Sequence, residues 1–258
     1  MTSAADRSPY APWRQYFDGR RDEALDAPFG APFASLPGRE AVARSLARFE
    51  LGESGDGERL RRLAAATGDA AYARCIELFV REERQHAGWL TILRERFGGR
   101  SLESHWSDVA FVVLRHVGGL RLEICVLLTA ELIALSYYRV LPLAYDDPLL
   151  HAACSRILLD ERGHVAFHRA TLGHEFARMP ALPRAVAILA WRAFVSITAT
   201  VVAWDHRAVL DLAGVSRRDF ARDVRGRARR LARAVRYRAL SPVVVMAAGV
   251  PAAPRRQA

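Results

Sequence analysis

The sequence has no lysine; all 38 of its basic residues are arginine. A formal charge of +10 and a pI near 10.4 would ordinarily point to an acidic partner, a membrane surface or nucleic acid. Arginine-only usage reads instead as a GC-rich coding bias, which takes most of the functional weight out of the charge, and nucleic acid is not expected as a partner. Cysteine is scarce. Cys75, Cys125 and Cys154 lie far apart without a C-x-x-C pair, which argues against a disulfide framework or a zinc knuckle. Each falls in an apolar helical stretch and reads as a buried thiol. The first residues include Asp6, Arg7 and Pro9 and no apolar run, so no signal peptide and a cytoplasmic location are expected. Long apolar runs free of charge are also lacking. Residues 185–204 contain Arg192, and residues 120–141 contain Arg121, Glu123 and Glu131. Charge at mid-membrane is costly, so no membrane span is expected.

No strand-like alternation is present either, and the class expected is all-α. Residues 1–37 hold five prolines and read as an irregular arm. A four-helix region is expected over 38–178, extra helices packed on it over 179–240, and a tail over 241–258. Helix one runs from Arg39 to Glu53, where Gly55 and Gly57 kink or break it, and continues to Ala66. Thr67-Gly68-Asp69 makes a turn and an N-cap for a helix reaching Phe97. A third helix follows Ser107-Asp108 and ends near Leu141. Asp147-Pro148 opens a fourth, reaching Phe176. Two more are expected near 183–213 and 216–240.

A shift of 78 residues lays one half on the other: Glu53 falls on Glu131, Asp69 on Asp147, and Glu82-Glu83-Arg84-Gln85-His86 on Asp160-Glu161-Arg162-Gly163-His164. In both halves a lone glutamate precedes the Glu-x-x-His element by 30 residues. Residues three apart share a helix face, so a Glu and a His at that spacing can reach one point. Two helical hairpins with such residues in register suggest a two-fold bundle. One E-x-x-H alone is weak, since most copies lie on solvated faces. Here the duplication and the apolar neighbours of Glu131 (Leu127-Leu128, Leu132-Ile133) make an unpartnered carboxylate costly. The ligand set read from this is Glu53, Glu83, His86, Glu131, Glu161 and His164. Its oxygen-rich character suits iron or manganese better than zinc. Glu50, one turn before Glu53, is an alternative ligand, and His168, on the face of Glu161 and His164, an additional one.

The pattern Glu … Glu-x-x-His … Glu … Glu-x-x-His, over residues 39–176, resembles the ferritin-like di-iron carboxylate superfamily, which includes ferritins, rubrerythrins and di-iron N-oxygenases. The resemblance implies a four-helix bundle holding two Fe ions, with Mn/Fe or Mn/Mn as alternatives. It also implies an oxidoreductase or oxygenase that turns O₂ on an organic substrate, free or bound to a carrier protein, with the electron donor unspecified. Glu53 and Glu131 would bridge, and the other four would be terminal ligands. The helices beyond residue 180 favour this reading by offering walls for a pocket. Peroxide scavenging or iron handling is the alternative, although no rubredoxin-like C-x-x-C module is present. A third reading is a non-enzymatic binding protein. Residues 217–238 carry ten arginines against Asp219 and Asp223. They read either as a solvated face or, through Arg225, Arg229 and Arg233, as a docking site for an acidic partner. A homodimer is compatible with all three. Among lesser residues, Glu123 reads as an ion-pair partner of an arginine, Arg84 and Arg162 as pointing away from the metals, and Tyr137 and Tyr138 as packing. Asp205-His206 reads as a hydrogen-bonding pair near the core.

Overall fold

A computed structural model describes residues 8–20, 33, 36–106, 111, 113–114 and 117–235. Among these residues there are helices and no strands. The helices are α1 (Ala11–Asp18), α2 (Arg39–Glu53), α3 (Glu58–Ala65), α4 (Ala70–Arg96), α5 (Leu120–Val140), α6 (Pro148–Ala177), α7 (Ala181–Asp205), α8 (Arg207–Leu212) and α9 (Arg217–Val235). The tail over 241–258 and the end of the helix expected to reach 240 lie outside the described residues.

The predicted caps are present. Asp69 accepts from the amides of Ala71 and Tyr72 at 2.9 and 3.0 Å, and Asp147 from that of Leu150 at 2.8 Å. Each fills amide valences that the first helical turn leaves open. On α2, Val42, Ala43, Leu46 and Ala47 are buried, a stripe at helical spacing that seats the helix on α4. Gly57 then separates α2 from α3. Its φ is +66°, and a Cβ there would lie 2.5 Å from Val80, so the break needs glycine both for conformation and for space.

Three expectations change. The arm over 1–37 contains α1, with Pro12 in its first turn, where the missing amide costs nothing. Trp13 and Phe17 are buried, so this helix is part of the core. The third helix is interrupted at Gly118-Gly119: Trp106, Phe111, Val113, Leu114 and Val117 are helical, but Gly119 is extended and α5 begins at Leu120. The helix expected over 183–213 breaks at His206 into α7 and α8. There the side chain of His206 binds Ser45 across the core (Nδ1 to Oγ, 2.6 Å).

α2 packs along α4, α5 along α6, and α4 meets α6. Outside them α9 fills the groove between α7 and the α5–α6 pair. By length and composition, Leu120–Leu143 and Ala181–Asp205 could cross a membrane, but 72% of the first window is buried in the fold against 28% of the second. The first is therefore a core helix. The second turns Leu182, Val186, Leu189, Ile197 and Trp204 outward.

Candidate metal centre

The two Glu-x-x-His elements meet where α4 crosses α6. Glu53, Glu83, His86 and Glu161 each offer one ligand atom, and the four atoms lie within 4.8 Å of one another. His164 adjoins them, its Nδ1 3.1 Å from Glu83 Oε1 and 3.9 Å from Glu161 Oε2.

The outward nitrogens decide the tautomers. His86 Nε2–H donates to Asp160 at 3.1 Å, and His164 Nε2–H donates to Glu82 at 2.9 Å. Each histidine is thus held by the acid that precedes the paired glutamate of the other half. With one proton on Nε2, a neutral ring turns an Nδ1 lone pair into the cluster, the state a metal ligand requires; His86 is in that state, and His164 reaches it when a cation displaces its second proton. Among the described residues, His86 Nδ1, His164 Nδ1, Glu83 Oε1 and Glu161 Oε2 are buried without a hydrogen-bond partner. Orphaned polar atoms are expensive in a fold interior. Here four converge on one point. This donor set fits a hard or borderline divalent cation.

The electrostatics agree. Burial, then Glu83 and Glu161, push Glu53 well above the usual carboxylate range, and burial with Glu83 does the same to Glu161. Burial acts in that direction on Glu83 too, but the adjacent His164 outweighs it and lowers its pKa. Burial takes His86 down to about 4. For His164 burial also opposes the charge, yet the hydrogen bond to Glu82 and the charge of Glu83 outweigh it and raise the pKa well above normal. Without a cation, protons on Glu53, Glu161 and His164 supply the positive charge.

Glu131 does not join the four. It is buried and accepts from His168 Nδ1 at 2.5 Å, its second oxygen unpartnered. His168 is therefore the hydrogen-bond partner of a predicted ligand and stands outside the cluster. Glu50 is turned the other way, accepting from Arg94 Nε at 2.5 Å and from Thr91 at 3.0 Å. Glu123 pairs with Arg59 at 3.0 Å. Arg84 is exposed and donates to the Asp56 carbonyl at 3.0 Å, and Arg162 is exposed. Arg225 is half-buried on α9, with Arg229 and Arg233 exposed.

One contributor was not legible as such. Tyr138 donates to Glu53 Oε1 at 3.3 Å; an aromatic in an apolar helix signals packing, and nothing local marks the hydroxyl. The Asp205-His206 pair does reach the core: Asp205 meets Arg48 at 3.2 Å while His206 holds Ser45, which also bonds Tyr137. A cavity of about 170 Å³ opens on the carboxylates of Glu53, Glu83, Glu131 and Glu161. Phe49, Phe79, Leu127, Ile133 and Val202 give it a largely apolar wall, and His206 a polar one.

No family model, no curated protein and no solved structure matches this chain.

Proposed function

We propose that this chain is a ferritin-like, two-metal carboxylate oxidoreductase, with iron as the first choice of metal, that turns O₂ on an organic substrate. One observation carries the reading: two buried imidazoles, each with Nε2 tied to an acid of the opposite half, aim their Nδ1 atoms at the carboxylates of Glu83 and Glu161. The packing of α2 on α4 and α5 on α6, with these bonds crossing between the pairs, supports the four-helix bundle. Glu53, Glu83, His86, Glu161 and His164 would hold the ions, joined by Glu131 if it leaves His168. When bound, such ions supply the electrons and Lewis acidity that dioxygen chemistry needs.

The chain's own residues do the rest. Asp160 and Glu82 orient the imidazoles, and Tyr138 holds one oxygen of Glu53. Cation binding displaces the protons kept on Glu53, Glu161 and His164. The largely apolar cavity places an organic group against the carboxylates. At about 170 Å³ it is close to the size of an apolar cavity that takes a benzene ring, about 150 Å³. That favours oxidation of an organic group over iron storage, which needs no such chamber.

The test is metal analysis of anaerobically purified protein by mass spectrometry, beside Glu83→Ala/Glu161→Ala. Close to two Fe or Mn per chain, absent from the double variant, is the expected result. Protein that carries no metal and takes up no Fe(II) would overturn the proposal.

A further inference from the structure

Arg20, just beyond the end of α1, reaches the acids behind the histidines. Its Nε lies 3.2 Å from Glu82 Oε1, and its Nη2 contacts Asp160 Oδ1. Glu82 and Asp160 are the acceptors of His164 and His86. A single guanidinium thus touches both acids, one from each half of the repeat.

The arm is shaped to deliver it. Phe17 is fully buried and stacks on His164, with centroids 6.2 Å apart and planes at 27°. Tyr16 lies so close to α6 that a Cβ at Gly163 would come within 2.2 Å of its hydroxyl. That hydroxyl accepts from Arg20 Nη1 at 2.8 Å. The first half has Gln85 at the matching position, so the glycine is explained by the arm and not by the repeat. The side chain of Arg20 is 13% exposed, and those of Glu82 and Asp160 are 4% and 0%. Two buried carboxylates facing one another repel, and a planar cation with several fixed donors can satisfy both at once. A lysine, a single point of charge, cannot reproduce that fork.

We propose that Arg20 is a positioning residue that fixes both metal-facing imidazoles together, so that the two ion sites form or loosen as a pair. The inference rests on the two-metal reading above. It assigns the arm a role in the centre that the duplicated motif does not contain.

The experiment is anaerobic titration of the metal-free full chain with Fe(II), followed by calorimetry, for wild type, Arg20→Gln, Arg20→Lys and Arg156→Gln. Helix content and thermal midpoint are recorded before metal is added. Both Arg20 variants are expected to keep the fold and to weaken both binding steps by about 10–100-fold, the usual effect of removing a partner behind a metal ligand. Arg156, which donates to Asp160 at 3.2 Å, serves the His86 side, and its loss should affect the two steps unequally. Wild-type affinity in either Arg20 variant overturns the inference. So does an Arg20→Gln chain that fails to fold beside an Arg20→Lys chain that binds normally, because the role would then be structural. Wild type that binds no Fe(II) brings down the two-metal reading itself, a failure visible without any variant.

Discussion

In the first half of the repeat His86 donates to Asp160 of the second, and in the second half His164 donates to Glu82 of the first. Around the lone glutamates this exchange ends. Glu53 takes a hydrogen bond from Tyr138 at 3.3 Å and stays in the cluster, whereas Glu131 takes one from His168 at 2.5 Å and stands out of it. The repeat places Leu60 opposite Tyr138 and Leu90 opposite His168, so neither donor has a counterpart. The arm adds a further difference: its Tyr16 lies on Gly163, where the first half has Gln85. The halves agree where they bind each other's histidines and part where α1, the cavity or α8 meets them. This teaches that a duplicated frame can hold a centre while unduplicated residues set its surroundings.

The joint after α7 lies beyond both halves and is tied to the first through Ser45 and Arg48, and acid should break it. Burial, followed by the charges of Arg48 and His105, takes the pKa of His206 from 6.5 down to about 3. The folded value lies below the unfolded one. The stabilisation from the neutral ring is therefore fully present above pH 6.5 and is lost as pH falls toward about 3. Urea midpoints of metal-free protein at pH 7 and pH 4 should differ by roughly 2–3 kcal/mol more in wild type than in His206→Gln. Parallel profiles for the two chains would show that the ring is not held neutral.

Packing of the arm offers the next contrast. Gly163→Ala should cost about 1–3 kcal/mol, because the new methyl forces Tyr16 away from Arg20. Made in a Tyr16→Ala background, the same substitution should cost roughly 0.5 kcal/mol or less, because the obstructing ring is gone. Chemical denaturation reads both. Equal costs would mean that α1 does not press on α6 as described.

How far the sequence foretold this varies with the range of the interaction. Glu53 rather than Glu50 followed from the 78-residue register, and the structure has Glu53 in the cluster and Glu50 on Arg94. The caps at Asp69 and Asp147 were legible because a cap is a local bond between residues two or three apart. Arg20 and Tyr16 were not, since their partners lie more than 60 positions away and the arm's prolines pointed to irregular chain. The break at His206 escaped for a related reason: apolar periodicity continues through it, and only the distant Ser45 fixes the ring.

A smaller effect is expected from giving His168 the residue of its counterpart. His168→Leu leaves Glu131 Oε1 buried without a donor, a loss of about 1–3 kcal/mol in the metal-free protein. If Glu131 instead turns into the cluster, Fe(II) affinity should rise while stability falls. Unchanged stability and affinity together would show that the bond to His168 holds nothing in place.

The smallest change should come from Tyr138→Phe. Its hydroxyl is 3.3 Å from Glu53, at the long end for an O–H donor, so the bond is weak by geometry. The ring is fully buried, and Phe keeps its packing against Phe49, whose centroid lies 5.5 Å away. Only the bond is removed, at about 0.5–1 kcal/mol. With burial and Glu83 already keeping a proton on Glu53, the metal-free fold loses little. Fe(II) titration is the sharper reading, because binding requires Glu53 ionised and aimed. A loss of affinity of a few-fold in Tyr138→Phe, with an unloading denaturation curve shifted by 1 kcal/mol or less, is expected on this argument. Loss of more than about tenfold would make Tyr138 as important to its glutamate as Asp160 is to His86, and the two kinds of support would no longer be distinguishable by strength.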